Sequence, residues 1–248
     1  MAKVIWHGLI VVLLTVVTQI GGIAWLVGLW FRRPFLWFLP IYVVLTIAVG
    51  FIVPVFGRVP LPCSADGALQ SQSYLYCALN RHYVTPEMYD LATDLSDHME
   101  QKFPGTITQT LDGGFPFVTG FPLLPHLSHD DGEKLDFAFY WADENGEYLP
   151  GVNRSLIGYW GYAKGPTECP VRWSDLRWDF PVLNARWPAY EVEYQRLSVA
   201  LRYLAEDVRT GKILVEPYLS ERAGVSHDKI RFQGCRAARH DDHIHVQL

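Results

Sequence analysis

The chain has 248 residues, 50% of them hydrophobic, and its mean hydropathy is +0.07. Its formal net charge is -5, which argues against a general nucleic-acid-binding protein, because such a protein carries a basic surface. We therefore expect no nucleic-acid partner. The hydrophobic excess is concentrated in the first 56 residues.

Two uncharged apolar stretches begin the chain. Residues 4–31 contain no charged side chain apart from His7 when it is protonated, and residues 35–56 contain none. Each stretch reaches the roughly 20 residues that cross a bilayer core. With the intervening turn, they predict a two-helix transmembrane hairpin over residues 1–56. A cleaved signal peptide fits less well, because the first run is too long and a second run follows immediately.

The side of the membrane is predicted from basic residues and cysteines. The hairpin turn carries Arg32 and Arg33, and the flanks carry Lys3 and Arg58, which mildly favours a cytoplasmic turn and an exterior C-terminal region. All four cysteines follow the second apolar stretch and suit one or two disulfides in an oxidising compartment, with three pairings open. The alternative is four free thiols in a cytosolic domain. The cysteines are Cys63, Cys77, Cys169 and Cys235.

The remainder is predicted to form a linker, residues 57–70, and one domain, residues 71–248. Hydrophobic periodicity indicates two helices and alternation indicates four strands, so the fold class is α+β. The segment 147–190 has little periodicity and several tryptophans, which is typical either of a functional loop or lid or of a packed irregular insertion. The helices are predicted at 89–103 and 191–208 and the strands at 106–111, 135–141, 212–215 and 243–247.

Histidines and an aspartate are grouped in two segments. In an extended strand, His243 and His245 share one face. In the other segment, Gly132 allows a sharp turn that brings His129 and Asp136 to one point. Two imidazole nitrogens and one carboxylate oxygen form a donor set that zinc accepts, with the fourth position left for water. A spare histidine beside such a site can transfer a proton.

These segments carry a family resemblance. SHDDGEKLDFAFYW and HDDHIHVQL resemble the signatures of the LAS metallopeptidases, the superfamily of lysostaphin, D-Ala-D-Ala carboxypeptidases and the hedgehog signalling domain. Within this superfamily, the two segments most resemble those of the penicillin-insensitive murein endopeptidases and their D-Ala-D-Ala peptidase relatives. It covers residues 105–141 and 212–248 and implies a small antiparallel sheet with flanking helices. It also implies Zn2+ held by His129, Asp136 and His245, with His243 as the catalytic histidine.

The residues near these motifs receive further predictions. Arg81, Ser128 and His240 are candidate substrate-binding residues, and for His240 the alternative is an exposed loop position. His126 is expected to be a surface or packing residue. The neighbouring aspartates are expected to be solvated or to support the ligands. They are Asp130, Asp131, Asp241 and Asp242.

The resemblance implies a membrane-anchored, zinc-dependent peptidoglycan peptidase. Its domain would lie on the outer side of a bacterial cytoplasmic membrane, where it would cut cell-wall peptide cross-links as an endopeptidase. One alternative is a D-Ala-D-Ala carboxypeptidase that trims the ends of stem peptides. Another is a non-catalytic module that keeps zinc for stability and for binding a partner.

Overall fold

The computed structural model describes residues 1–63, 67–167, 169–170, 172–175, 177–178 and 180–248. Helices and strands alternate irregularly, and the α+β class is confirmed. The described helices are α1 (Ala2–Thr18), α2 (Gly21–Gly28), α3 (Pro34–Ile52), α4 (Tyr74–Ala78), α5 (Pro86–Lys102), α6 (Pro181–Asn184), α7 (Tyr194–Glu206) and α8 (Pro217–Arg222), with a 3-10 turn at Val53–Phe56. The described strands are β1 (Val59–Pro60), β2 (Leu69–Ser71), β3 (Tyr83–Val84), β4 (Thr108–Thr110), β5 (Lys134–Ala138), β6 (Trp141–Ala142), β7 (Glu191–Val192), β8 (Lys212–Leu214), β9 (Ile230–Arg231) and β10 (His243–Gln247).

The apolar N-terminal region differs from the predicted hairpin. Helix α3 and its 3-10 extension, Pro34–Phe56, form a 23-residue span with a mean hydropathy of 2.5, long and apolar enough to cross a membrane. The first predicted span is broken at Gln19, which has a φ of 63°. The Gln19 Oε1 atom accepts a hydrogen bond from the backbone N–H of Phe117 at 2.9 Å. Within the described residues there is thus one helix of spanning length, because a tertiary contact interrupts the other.

The described residues of the predicted linker, 57–63 and 67–70, form strands and core contacts with the rest of the domain. Strand β1 pairs antiparallel with β3, and Leu61 is buried in the main hydrophobic core. Strand β2 pairs with β4 in the large sheet. A disulfide joins Cys63 to Cys77 in the last turn of α4. The chain therefore enters the domain within two residues of the apolar helices.

A six-stranded sheet in the order β2-β4-β5-β10-β8-β9 carries the domain. Its four central strands are antiparallel, but β2 pairs parallel with β4 and β9 pairs parallel with β8. The sheet is therefore mixed, and the expectation of an antiparallel sheet is wrong at both edges. Short edge strands that return to the sheet after helices or loops, as β2 and β9 do, leave no local sequence signal for their direction.

The alternation of β10 separates the core from the polar face. Ile244 and Val246 lie opposite Phe137 and Leu135 of β5 and join the hydrophobic core that α5 and α7 cover. Thr85 caps the N-terminus of α5, since its hydroxyl accepts a hydrogen bond from the Met88 N–H, and Pro86 occupies the first helical position. His243 and His245 lie on the opposite face of β10.

Candidate metal centre

Three donor atoms converge on the polar face of the sheet. The antiparallel register sets His245 directly opposite Asp136, and their Nδ1 and Oδ1 atoms are 2.7 Å apart. The Nε2 atom of His129 lies 3.1 Å from the same His245 nitrogen and 3.3 Å from the same Asp136 oxygen. The structure therefore brings together the three residues that the sequence marked as ligands.

The loop before β5 holds His129 in one orientation. Its Nδ1 atom lies 2.9 Å from the carbonyl oxygen of Gly113. A carbonyl oxygen only accepts hydrogen bonds, so Nδ1 carries a proton and the Nε2 atom faces the cluster. The reversal between His129 and Asp136 passes through Gly132, whose φ of 75° favours glycine.

The donor set fits a divalent metal ion. Ligand atoms about 2.0–2.1 Å from a tetrahedral zinc ion are roughly 3.3 Å apart, close to the observed spacings. The side chains are fully buried, with exposures of 1% for His129, 0% for Asp136 and 3% for His245. Two imidazoles and one carboxylate, shielded from solvent, match the donors that zinc prefers. The cluster could therefore hold a metal ion.

Charge within the cluster supports ligation. Burial opposes ionisation of Asp136, but His129, His243 and His245 outweigh it and hold the pKa of that carboxyl well below its ordinary value. Burial lowers the pKa of His245 to about 4, despite the opposing effect of Asp136. The site thus presents an anionic oxygen and a neutral imidazole, the states that bind a metal.

His243 stands beside the cluster without joining it. Its Nε2 atom lies 3.7 Å from Oδ2 of Asp136. Its Nδ1 atom is 2.5 Å from Oδ1 of Asp242, and the other Asp242 oxygen accepts the N–H of Trp160 at 2.5 Å. Burial acts to lower the pKa of His243, but Asp136 and Asp242 raise it to about 9. The ring is therefore oriented and able to hold a proton.

Sequence reasoning missed a second row of polar residues. The Tyr159 hydroxyl donates to Oδ2 of Asp136 at 2.6 Å and accepts the Asp112 N–H at 3.1 Å. The Nδ1 atom of His126 lies 2.8 Å from Oδ2 of Asp112 and 3.7 Å from Oδ2 of Asp136. His126 is therefore part of the site and not only a packing residue. Asp112 lies two residues after the end of β4, and β4 pairs with β5. Only that strand pairing brings Asp112 near Asp136, so the sequence alone does not predict its place in the site.

The candidate substrate-binding residues occupy different environments. Arg81 is half-buried and donates from Nε and Nη2 to the two oxygens of Asp112, both at 2.6 Å. Ser128 is exposed on the loop before His129. His240 is 8% exposed, and its ring centre lies 5.0 Å from that of His243, so the expectation of an exposed loop histidine is wrong.

Aspartates near the motifs divide between the surface and the interior. Asp131 is ion-paired with Lys134 in the turn before β5. Asp241 and Asp242 are almost fully buried, and Asp241 is bound by Arg239. Asp242 supports His243 and is not solvated. The segment 160–163 lies against this pair, because the Trp160 N–H donates to the Asp242 carboxylate and the Ala163 N–H donates to the Asp241 carbonyl oxygen.

Comparison with known proteins does not assign this chain to a family. No family model and no curated protein sequence matches this chain. The chemistry of the centre therefore rests on its donor atoms and their surroundings.

Proposed function

We propose that this chain is a membrane-anchored, zinc-dependent peptidoglycan peptidase that cleaves peptide cross-links as an endopeptidase. The observation that carries the proposal is the convergence of His129, Asp136 and His245, with a third histidine, His243, beside them. The two motifs that contain these residues resemble those of the LAS metallopeptidases. This combination of ligands and a neighbouring acid-base group suits hydrolysis of a peptide bond.

Zinc would be held by His129 through Nε2, Asp136 through Oδ1 and His245 through Nδ1. Bound there, zinc supplies Lewis acidity, which polarises a carbonyl group and makes water a stronger acid. The protein contributes rigidity. The Tyr159 hydroxyl occupies the second oxygen of Asp136, so the first oxygen stays directed at the histidines.

His243 is the proton-transfer group of the proposed reaction. Because Asp242 accepts its Nδ1–H, the Nε2 atom faces the ligand cluster and is free to exchange a proton. In the neutral form of the ring, that nitrogen would take a proton from the attacking water and then deliver it to the leaving amine. The enzyme would need no serine or cysteine nucleophile, so β-lactams would not inhibit it.

Two observations support a membrane-anchored chain whose domain lies in an oxidising compartment. The disulfides Cys63–Cys77 and Cys169–Cys235 suit an oxidising compartment. Helix α3 is long enough to anchor the chain and is mostly exposed, unlike the core helix of a water-soluble domain. We propose that the domain lies on the outer face of the cytoplasmic membrane, beside the cell wall.

The test uses the full chain in detergent micelles, because the apolar helices contact the domain. Purified cell-wall sacculi are incubated with the protein, with and without a chelator, and the released fragments are identified by mass spectrometry. We expect chelator-sensitive loss of cross-linked dimers, absent in His243→Ala and retained in the matched control His98→Gln, which alters a histidine on α5 across the sheet.

The other outcomes contradict the proposal in distinguishable ways. Loss of only a terminal alanine identifies a carboxypeptidase. An unchanged digest from protein with one bound zinc per chain identifies a zinc-stabilised binding module. Full activity of His243→Ala with zinc bound removes the proposed proton-transfer role.

A further inference from the structure

A second group of potential metal ligands lies shortly after the apolar helices. Cys63, Cys77 and His82 each offer one donor atom, and the two sulfurs and one imidazole nitrogen lie within 4.8 Å of one another. On a tetrahedral zinc ion, such donors are roughly 3.6 to 3.8 Å apart, so this group is close enough to surround one ion. The two sulfurs are joined as a disulfide, and metal ligation requires the thiolate. The group can therefore bind a metal ion only in its reduced form.

Backbone hydrogen bonds connect the segments that carry the three donors. The Leu61 N–H, two residues before the first cysteine, donates to the carbonyl oxygen of His82 at 2.8 Å. The Arg81 N–H, beside the histidine, donates to the carbonyl oxygen of Tyr76 in α4 at 2.8 Å. These contacts do not depend on the sulfur–sulfur bond. We therefore expect the three donors to stay close together when the disulfide is reduced.

The imidazole of His82 is buried and has an unpaired nitrogen. The residue is 5% exposed, and its Nδ1 atom has no hydrogen-bond partner in the part of the chain that the structure describes. Burial lowers its pKa to about 4, so the ring is neutral near pH 7, the state that binds a metal ion. Buried polar atoms without a partner are rare in folded proteins, and a bound ion is one way to satisfy such an atom.

The surroundings of the two cysteines allow both reduction and ligation. Cys63 and Cys77 are partly exposed, so a reductant can reach the bond between them. The Ser71 hydroxyl oxygen lies 3.8 Å from Sγ of Cys77 and can donate a hydrogen bond to a thiolate there. The second disulfide differs, because within the described residues neither Cys169 nor Cys235 belongs to a group of three potential ligands.

We propose that Cys63, Cys77 and His82 form a redox-controlled zinc site, which binds the ion when the disulfide is reduced and releases it when the disulfide re-forms. A protein dithiol would supply two electrons and two protons to the disulfide and itself become a disulfide. Zinc then displaces the two thiol protons and is held by two thiolates and the neutral imidazole. In the reverse direction, the thiolates give two electrons to a partner disulfide, which takes up two protons, and zinc leaves. The site shares no residue with the candidate metal centre.

Cobalt is the spectroscopic probe for this site. The full chain in detergent is reduced with a phosphine, the phosphine is removed under anaerobic conditions, and Co2+ is added. Ligation by thiolate produces sulfur-to-cobalt charge-transfer absorption in the near ultraviolet, whereas imidazole and carboxylate ligands produce none. The candidate metal centre therefore does not contribute to this signal. We expect the absorption in the reduced chain and not in the oxidised chain.

Paired cysteine variants assign the absorption to one disulfide or the other. The variant with Cys63→Ser and Cys77→Ser should show no charge-transfer absorption after reduction. The matched variant with Cys169→Ser and Cys235→Ser should show the absorption of the wild type. No absorption from the reduced wild type, or its persistence when Cys63 and Cys77 are replaced, would overturn the inference.

A histidine variant tests the third ligand. In His82→Gln, we expect the affinity for Co2+ that is measured from this absorption to fall roughly tenfold or more, because a neutral nitrogen ligand is lost. His98→Gln, which alters a partly exposed histidine on α5, should keep the wild-type affinity. Equal affinities in His82→Gln and the wild type would exclude the imidazole as a ligand and overturn the three-ligand site.

Protection from alkylation tests the site without any substitution. The reduced full chain is treated with iodoacetamide in the presence and absence of Zn2+, and mass spectrometry measures the modification of each cysteine. Zinc should slow the modification of Cys63 and Cys77 and leave Cys169 and Cys235 unaffected. Equal rates with and without zinc, or protection of the second pair alone, would overturn the inference. Neither measurement uses peptidase activity, so the result stands whether or not sacculi are cleaved.

Discussion

The guanidinium group of Arg58 covers Gly132, the glycine at the turn between His129 and Asp136. A Cβ atom on Gly132 would lie 2.6 Å from Nη1 of Arg58 and 2.7 Å from its Cζ and Nε atoms. Arg58 is 6% exposed, follows the apolar helices directly and donates from Nη2 to Thr119 at 3.0 Å. The residue two positions after the apolar helical region therefore packs against the loop that orients His129, a candidate metal ligand.

Replacement of Gly132 by alanine should disrupt the metal centre. The residue has a φ of 75°, and the added methyl group would collide with the buried guanidinium. We expect the free energy of unfolding to fall by about 2 to 4 kcal/mol and zinc affinity to fall at least tenfold. Urea unfolding and competition with a chromophoric chelator measure the two effects.

A matched glycine separates the collision from backbone strain. Gly146 has a φ of 82° but open space around it, so Gly146→Ala should cost about 1 kcal/mol and leave zinc affinity unchanged. Removing the guanidinium as well, in Arg58→Ala with Gly132→Ala, should recover part of the zinc affinity. Additive losses in that double variant would show that the contact with Arg58 does not matter.

Local patterns predicted the parts of the site that lie within one element. The spacing of His243 and His245 requires only that β10 be extended, and the periodicity of α5 and α7 requires only one buried face. What local patterns lack is the register that sets His245 against Asp136, since strand pairing depends on the whole sheet. Asp112 and Tyr159 were missed for the same reason.

Hydropathy predicted the apolar N-terminal region but not its division. A window average counts composition, and residues 4–31 carry no charge apart from His7 when it is protonated. The break at Gln19 arises because its side chain satisfies the Phe117 N–H in the following domain. The contact with Phe117 is tertiary and cannot be predicted from the segment alone, although Gly21 and Gly22, just after the break, are weak helix formers.

Asp242 should control activity without affecting metal content. In Asp242→Asn, the amide no longer fixes the proton on Nδ1 of His243, and the Nε2 atom loses its role in proton transfer. We expect kcat on cross-linked fragments to fall roughly 100-fold or more, with one zinc per chain retained. The control is Asp97→Asn, on the exposed face of α5. Loss of zinc in Asp242→Asn, or undiminished turnover, would contradict this role.

Removing the apolar helices should destabilise the domain. The Tyr42 hydroxyl of α3 donates to the Ala78 carbonyl at 2.6 Å and accepts from Asn80 at 2.8 Å, and Val49 and Val53 pack on Tyr83. We expect residues 57–248 alone to unfold roughly 5 °C or more below the full chain in the same detergent. Tyr42→Phe in the full chain should show a smaller decrease. Equal melting temperatures would mean that the helices only tether the domain.

His82 should make the stability of the domain depend on pH. It is 5% exposed, its Nδ1 atom has no hydrogen-bond partner in the described residues, and burial lowers its pKa from 6.5 to about 4. Between these values the unfolded chain binds a proton that the folded chain does not. Stability should therefore fall as the pH decreases from 6.5 to 4, by up to about 3 kcal/mol from this residue.

The measurement is urea unfolding of the full chain across that pH range. His82→Gln cannot titrate there, so its stability should decline less steeply than that of the wild type between pH 6.5 and 4. His98→Gln, which replaces a partly exposed histidine stacked on Tyr203, should keep the wild-type slope. Parallel curves for His82→Gln and the wild type would show that His82 is protonated within the folded protein, and that its burial does not exclude the charge.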